Sequence, residues 1–214
     1  MEIVVPDDPA RLVAERLEAA TGNVVVTGGR SPVHAYELAA ALRADWSDTA
    51  IWWSDERCVP HDDELSNYKL VHDALLDRVT TGAVHRMQGE LGRDAGADAY
   101  EQELGGLDRF DLALLGLGSD GHVASLFPDE PTLDETERKA IGAVARLDPF
   151  VDRISLTLPM LCSARTVIYL VTGADKADAV KHAFAEKPSR STPASLVRGE
   201  ETLVVLDAAA AAKL

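Results

Sequence analysis

Short hydrophobic runs alternate with amphipathic stretches at helical spacing along almost the whole chain. The runs predict strands at 23–28, 50–54, 83–87, 110–118, 139–147, 153–158, 166–173 and 201–207. The amphipathic stretches predict helices at 9–21, 31–44, 66–79, 94–107 and 174–186, with an alanine-rich helix after the last strand. Such alternation is typical of an α/β protein with a doubly wound, mostly parallel sheet and helices on both faces.

Polar residues and glycines mark several ends of the predicted helices. Ser31 and Ser66 precede two of them and are expected to be N-caps, and Gly105-Gly106 ends another. The acidic stretch 128–138 contains two prolines and is expected to be a solvated loop. Because no repeat or low-complexity linker interrupts the pattern, we expect residues 1–214 to form a single domain.

Charge narrows the class of partner. The net charge is −15, which disfavours nucleic acids and anionic membrane surfaces. No apolar run approaches the ~20 residues that a membrane span needs. A site for an anionic small molecule would have to gather cations locally, since the mean field of the protein repels such a ligand.

Cysteine content and the N-terminal segment indicate a cytoplasmic protein. Cys58 and Cys162 are too few for a disulfide framework, as expected in a reducing compartment. The segment MEIVVPDDPA lacks the basic and apolar regions of a signal peptide. No strongly apolar exposed helix stands out, so we expect a monomer.

The segment GLGSDGHVASLFP, residues 116–128, follows a predicted strand and admits two interpretations. Its glycines spell G-x-G-x-x-G, the pattern of dinucleotide-binding oxidoreductases. That pattern requires a long helix after the third glycine, whereas Pro128 and Pro131 leave room for a helix only over about 122–127. Alternatively, the glycines shape a loop that presents Asp120 and His122.

His122 is the candidate for chemistry. A histidine can accept a proton from water near neutral pH, and Asp120 can orient the ring or stabilise the imidazolium. The alternative is a structural role, in which the histidine caps a short helix. The other histidines lie in predicted helices, a short strand or an acidic loop, and none has a second histidine at metal-ligand spacing.

The turn TGGRSP, residues 27–32, is suited to a phosphate. Gly28 and Gly29 let the backbone present N–H groups at the start of a helix, where the helix dipole favours anions. Arg30 and Ser31 add side-chain donors. The alternative is an ordinary tight turn with an N-cap.

Candidate cations follow other predicted strands. Asp55 and Arg57 flank Glu56 after strand 50–54, so alternation points them to the same side, and a guanidinium suits bidentate phosphate binding. Lys176 opens a predicted helix and Arg153 starts a strand. The alternatives are a surface ion pair for the triplet and a solvated lysine.

Taken together, these strand ends resemble the 6-phosphogluconolactonase family. The matching segments are VTGGRSPVHAY, IWWSDERCVPHDDELSNYKLV, FDLALLGLGSDGHVASLFP, RISLTLPMLCSA and LVTGADKADAV, in family order over about residues 24–181. One departure is Arg30, where that family usually has a small hydroxyl residue or glycine.

The resemblance implies hydrolysis of 6-phospho-D-glucono-1,5-lactone to 6-phospho-D-gluconate in the oxidative pentose phosphate pathway, with no metal and no organic cofactor. It implies that His122 is the catalytic base and Asp55 a polar partner in the site. The residues implied to hold the phosphate or to support the site are Arg57, Lys176, Gly29–Ser31, Asp120 and Asn67. A lactone is an activated ester, so a base and water suffice, and the sequence has no G-x-S-x-G nucleophile elbow.

Three other functions remain open from the sequence. Glucosamine-6-phosphate deaminases resemble this family but carry a glutamate five residues after the histidine, where this chain has Phe127. A dinucleotide-binding oxidoreductase would use the glycine pattern. A phosphosugar-sensing regulator would need a DNA-reading module, and no basic helix-turn-helix is visible.

Overall fold

Ten strands and six helices alternate in the computed structural model, which describes residues 1–214. The strands are β1 (Glu2–Val4), β2 (Gly22–Val26), β3 (Asp45–Trp53), β4 (Asp55–Arg57), β5 (Thr80–His85), β6 (Leu112–Leu115), β7 (Ala140–Ala143), β8 (Arg153–Leu156), β9 (Thr166–Val171) and β10 (Glu201–Leu206). The helices are α1 (Pro9–Glu18), α2 (Val33–Leu42), α3 (Asn67–Ala74), α4 (Arg93–Leu104), α5 (Leu158–Cys162) and α6 (Ala177–Phe184).

A seven-stranded sheet in the order β1-β10-β9-β6-β2-β3-β5 forms the centre, and every neighbouring pair is parallel. The chain moves one way along it from β2 to β3 and β5, and the other way from β6 to β9 and β10. Right-handed crossovers therefore place α1–α3 on one face and α4–α6 on the other. The expected doubly wound α/β fold is confirmed.

The order of the strands also fixes where a ligand can bind. β2 and β6 are neighbours, and the chain leaves them in opposite directions. In open α/β sheets such a switch point leaves a crevice beyond the carboxyl ends of the two strands. Residues that follow β2 and β6 therefore share one edge of the sheet.

The central strands are apolar because helices cover both of their faces. All four residues of β6 and Val24–Val26 of β2 are buried in the main hydrophobic cluster. The three tryptophans of the chain, Trp46, Trp52 and Trp53, all lie in β3 and are buried. None of the helices has the length and hydropathy needed to cross a bilayer.

A second, antiparallel sheet in the order β4-β8-β7 was not expected from the sequence. The sequence predicts strands at 139–147 and 153–158 but does not indicate that they belong to a separate sheet. β8 pairs with β4, which brings Ser155 opposite Asp55 and Arg153 opposite Arg57. Residues 55–57 therefore form a strand that is held by pairing rather than indicated by a hydrophobic pattern.

Several predicted ends and elements need correction. The expected alanine-rich helix after β10 is wrong, because residues 208–213 form turns; so short a segment does not offset the cost of helix nucleation. Ser31 is not an N-cap, since α2 begins at Val33 and has no side-chain cap. Ser66 does cap α3, where its Oγ accepts a hydrogen bond from Lys69 N. In the stretch expected to be a solvated loop, Leu133 is buried.

Candidate active site

A cavity of about 590 Å³ lies at the switch point of the sheet. Its walls come from the residues that follow β2, β3, β6 and β9. All the residues predicted for the site line this cavity except Asp120 and Arg153. Segments distant in sequence therefore meet where the strand ends converge.

His122 lies in this cavity with Asp120 behind it. The imidazole Nδ1 is 2.6 Å from Asp120 Oδ1, and the backbone N–H of His122 donates to the same oxygen at 3.1 Å. Burial acts to raise the pKa of Asp120, but the hydrogen bond and charge of His122 outweigh it and lower that pKa. An ionised Asp120 accepts a hydrogen bond, so the proton sits on Nδ1 and Nε2 is free to act as a base.

Asp120 itself faces a different cavity. A second space of about 480 Å³ is lined by Asp120 together with residues of α6 and the segment after it. Asp120 is thus the aspartate in contact with His122, whereas Asp55 bonds to other groups.

The glycines after β6 shape this loop. A Cβ on Gly118 would lie only 2.0 Å from His122 Nδ1, so the ring can approach the backbone only at a glycine. No helix follows Gly121; Val123 and Leu126 form an isolated bridge instead. The loop therefore lacks the helix N-terminus that a dinucleotide pyrophosphate requires.

Asp55 is buried at the cavity wall and held by two hydroxyls. Ser54 Oγ donates to Asp55 Oδ1 at 2.9 Å, and Ser125 Oγ donates to Oδ2 at 2.7 Å. Asn67 Nδ2 donates to the Asp55 carbonyl at 2.9 Å. Ser125 was given no role from the sequence, although it stands in the same conspicuous segment as His122.

Arg57 points to the same side as Asp55, as strand alternation indicates, and both line the cavity. Its Nη1 donates to the Leu65 carbonyl at 2.5 Å. Glu56 points the other way and is buried, so the suspected surface ion pair within the triplet is absent.

The glycine turn is anchored at both ends. Tyr36 Oη accepts from Thr27 N at 2.9 Å and donates to the Thr27 carbonyl at 2.8 Å. Ser31 Oγ is 2.7 Å from Thr172 Oγ1, which ties the turn to the end of β9. Thr172 carried no signal in the sequence that would have singled it out.

The cavity gathers positive charge within an acidic protein. Arg30, Arg57 and Lys176 line it, against the carboxylates of Asp55 and Asp175. The nearest of these pairs, Lys176 Nζ and Asp175 Oδ2, is separated by 3.8 Å. Local cations therefore oppose the net charge of −15 at this one place.

Arg153, a predicted site residue, and Cys58 do not line the cavity. Arg153 is buried; its Nη2 donates to the Pro149 carbonyl at 2.8 Å, and burial followed by the charge of Arg57 lowers its pKa. Cys58 is half-buried, and burial raises the pKa of its thiol to about 11. A thiol with that pKa is protonated at neutral pH and is a poor nucleophile.

Comparison with known proteins identifies the family to which the chain belongs. Residues 6–205 match the profile described as Glucosamine-6-phosphate isomerases/6-phosphogluconolactonase. The chain belongs to this family. A 6-phosphogluconolactonase of Streptomyces coelicolor is 40% identical, with 100% of this chain and 91% of the relative covered. Within the family, the crystal structure of 6-phosphogluconolactonase from Thermotoga maritima superposes with a TM-score of 0.84 at 31% identity, covering 96% of this chain and 98% of that one.

The fold is shared with a deaminase. A monomeric glucosamine-6-phosphate deaminase superposes with a TM-score of 0.88 over 100% of both chains, at 17% identity, which shows the shared fold. In this chain the ring of Phe127 packs 4.9 Å from that of His122, measured between centroids. An apolar ring therefore stands beside the imidazole at the position where the sequence comparison expects a deaminase glutamate.

Proposed function

We propose that this chain hydrolyses 6-phospho-D-glucono-1,5-lactone to 6-phospho-D-gluconate in the oxidative pentose phosphate pathway. The names of its relatives support that substrate and reaction. The observation that carries the proposal is the cavity in which His122, backed by Asp120, faces the same space as Arg57 and Lys176. Hydrolysis of a phosphorylated lactone requires a general base and cationic side chains that bind the phosphate.

In the proposed mechanism His122 Nε2 takes a proton from water as the water oxygen attacks C1 of the lactone. The new C–O bond forms, the carbonyl becomes an oxyanion, and Asp120 stabilises the imidazolium. When the oxyanion collapses, the bond from C1 to the ring oxygen breaks. The imidazolium returns its proton to that oxygen, which becomes a hydroxyl of the open-chain product.

The oxyanion needs a donor, and Arg57 is our candidate. The loop around His122 offers few free backbone donors, because the N–H groups of Gly118, Gly121 and His122 are already hydrogen-bonded within the loop. Arg57 uses only Nη1 for the Leu65 carbonyl, which leaves its other N–H groups for the substrate. A charged donor placed before the reaction stabilises developing negative charge at no reorganisation cost.

The phosphate is the handle that positions the ring. Arg30, Lys176 and the turn Gly28–Ser31 would hold it, and Asp55 and Asn67 would contact the sugar end of the site. Fixing the far end of the substrate holds C1 within reach of the activated water, a source of large rate gains. None of these steps requires a metal or an organic cofactor.

Setting and assembly follow from the same proposal. We propose a monomeric cytoplasmic enzyme with no nucleic-acid partner. Both Cys58 and Cys162 are free thiols, which suits a reducing compartment. The net charge of −15 supports the absence of a nucleic-acid partner.

The first prediction concerns His122. Loss of freshly generated 6-phosphogluconolactone should be faster with the wild-type protein than the spontaneous background. His122→Ala should lower kcat by about 10²–10⁴-fold, since the general base is removed. The matched control is His72→Ala, a half-buried histidine on α3 that does not line the cavity and whose loss should leave the rate unchanged.

Circular dichroism and the melting temperature establish that both variants fold. Full acceleration by His122→Ala would contradict the role of the histidine. Ammonia release from glucosamine 6-phosphate, or a bound nicotinamide detected by calorimetry, would support the deaminase or the oxidoreductase instead.

A further inference from the structure

Glu56 is a buried carboxylate next to the site that the mechanism does not use. Only 2% of its surface is exposed, and it does not line the cavity. Its Oε1 accepts from Arg57 N and Asn67 N, each at 2.7 Å. Its Oε2 accepts from Tyr68 N at 2.7 Å and from Ser66 Oγ at 3.0 Å. Four donors therefore surround one carboxylate that has no cation as an ion-pair partner.

These donors belong to two different elements. Arg57 is the last residue of β4, whereas Asn67 and Tyr68 are the first two residues of α3. The first N–H groups of a helix have no partner within the helix, and a carboxylate satisfies them while matching the helix dipole. Glu56 thus acts as a cap supplied from another element, and it fixes β4 against the start of α3.

We propose that Glu56 is a positioning residue, which locks β4 to the N-terminus of α3 and so orients Asp55 and Arg57 for the substrate. This inference rests on the proposed function, because Asp55 and Arg57 matter through their contacts with the lactone.

The orientation of Arg57 depends on the segment that Glu56 holds. The guanidinium donates to the Leu65 carbonyl, one residue before Ser66. The Arg57 backbone N–H is bonded to Glu56 itself. Both ends of the arginine are therefore tied to the joint between β4 and α3.

Asp55 depends on the same joint through Asn67. Glu56 holds the Asn67 backbone, and the Asn67 side chain donates to the Asp55 carbonyl. That hydrogen bond fixes the orientation of the Asn67 amide, so its Oδ1 lies against Gly28. A Cβ on Gly28 would lie only 1.8 Å from this oxygen. A shift of the α3 N-terminus would move Asp55 and the glycine turn together.

A second carboxylate provides a matched control. Glu101 of α4 accepts hydrogen bonds through Oε2 from Lys139 N and Ala140 N, both at 2.8 Å, and so joins α4 to β7. None of these three residues lines the cavity. Glu101→Gln therefore weakens a comparable backbone clamp far from the site.

The experiment compares Glu56→Gln with Glu101→Gln. A glutamine amide cannot accept with its nitrogen, so Glu56→Gln loses the acceptors on one of its two oxygens. Glu101→Gln keeps one oxygen for both of its bonds and weakens its clamp by removing the charge. Kinetic constants are measured per folded protein with 6-phosphogluconolactone. Glu56→Gln should lower kcat/KM about 10-fold or more, because small displacements of positioning groups cost that much or more in rate, whereas Glu101→Gln should keep the wild-type constants.

A double variant tests whether Glu56 acts through Arg57. If it does, adding Arg57→Lys to Glu56→Gln should cost less than the product of the two separate effects on kcat/KM. If Glu56→Gln does not fold, Glu56→Asp carries the test, with a smaller change in the same direction. Equal kinetic constants for Glu56 and Glu101 variants would overturn the inference and leave a structural role only.

Calorimetric binding of 6-phosphogluconate separates this inference from the proposed function. Inactivity of the wild-type protein would reject the lactonase, while the binding constants of the two glutamine variants still report on positioning. Weaker binding confined to Glu56→Gln supports the inference, and equal binding in both variants contradicts it.

Discussion

Asp120 contacts His122 from outside the main cavity. Its carboxylate bonds to His122 Nδ1 at 2.6 Å, while its other surface meets the second cavity. The residue that sets the tautomer of the base is thus separated from the residues that would touch the lactone. A change at Asp120 should therefore affect the chemical step more than the binding of phosphate.

The lowered pKa of Asp120 leads to a prediction about stability. A carboxyl group whose pKa is lower in the folded state stabilises the fold above its unfolded value of about 3.9. That stabilisation is lost as the pH falls through the lower, folded value. The melting temperature of Asp120→Asn should therefore lie below wild type at neutral pH, and the difference should shrink below about pH 4.

Melting curves from about pH 7 to pH 2.5 measure this difference. A difference in melting temperature between wild type and Asp120→Asn that stays constant over the whole pH range would contradict a lowered pKa of Asp120 in the folded state. Asp129→Asn serves as the control at an exposed carboxylate in the loop that follows the site.

At the scale of elements, the start of α3 is where stability and site geometry meet. Ser66 caps the helix by accepting from Lys69 N, and its hydroxyl donates to Glu56 Oε2 at 3.0 Å. One serine thus serves both the helix and the carboxylate that holds β4. Removal of the Ser66 hydroxyl should therefore weaken both the helix cap and the hold of Glu56 on β4.

Ser66→Ala is expected to lower the free energy of unfolding by about 1 kcal/mol, the usual cost of a lost N-cap. It should also lower kcat/KM, because the clamp on Arg57 loosens. The matched control is Asp8→Ala, which removes the cap of α1 at Arg11 N and lies away from the cavity. Urea titrations give the stabilities, and an unchanged kcat/KM for Ser66→Ala would contradict the link to the site.

The main sheet was predictable because its strands are buried on both faces. Stretches such as Leu112–Leu115 and Val24–Val26 are apolar without interruption and are easily distinguished from amphipathic helices. β4 has no such pattern, since its sequence is Asp-Glu-Arg and its pairing with β8 spans about a hundred residues of chain. Three-residue strands held by distant partners leave no local signal.

The same distinction applies to the cavity. Residues at or beyond strand ends, such as Arg57 and His122, could be chosen because the sheet topology brings strand ends together. Ser125 and Glu56 could not, because their roles come from side-chain contacts made in the fold. Ser125 meets Asp55 across seventy positions of sequence, and nothing near either residue indicates that contact.

At the scale of the whole molecule, the cations in the cavity are opposite in sign to the net charge of the protein. The protein carries −15, yet three cations line the cavity, and an anionic substrate meets both fields. Salt shortens the Debye length from about 10 Å at 0.1 M to about 3 Å at 1 M, so charges on the distant surface are screened first. The cations of the cavity therefore dominate the field that acts on a substrate close to them. The local field should therefore decide the response to salt.

We predict that kcat/KM for 6-phosphogluconolactone falls several-fold between about 0.1 M and 1 M sodium chloride, because screening weakens the cationic grip. Glucono-1,5-lactone, which has the same ring without the phosphate, is the control and should show little salt dependence. A rise in kcat/KM for the phosphorylated lactone would show instead that repulsion by the acidic surface dominates.

The placement of all three tryptophans in β3 has a practical outcome for solution work. Tryptophan fluorescence of this protein originates in a single strand, which leads within two residues to Asp55. The Trp53 ring also lies 5.5 Å, between centroids, from that of Tyr68 at the start of α3. Tryptophan emission therefore reports on β3, and through Trp53 it includes the joint between β4 and α3.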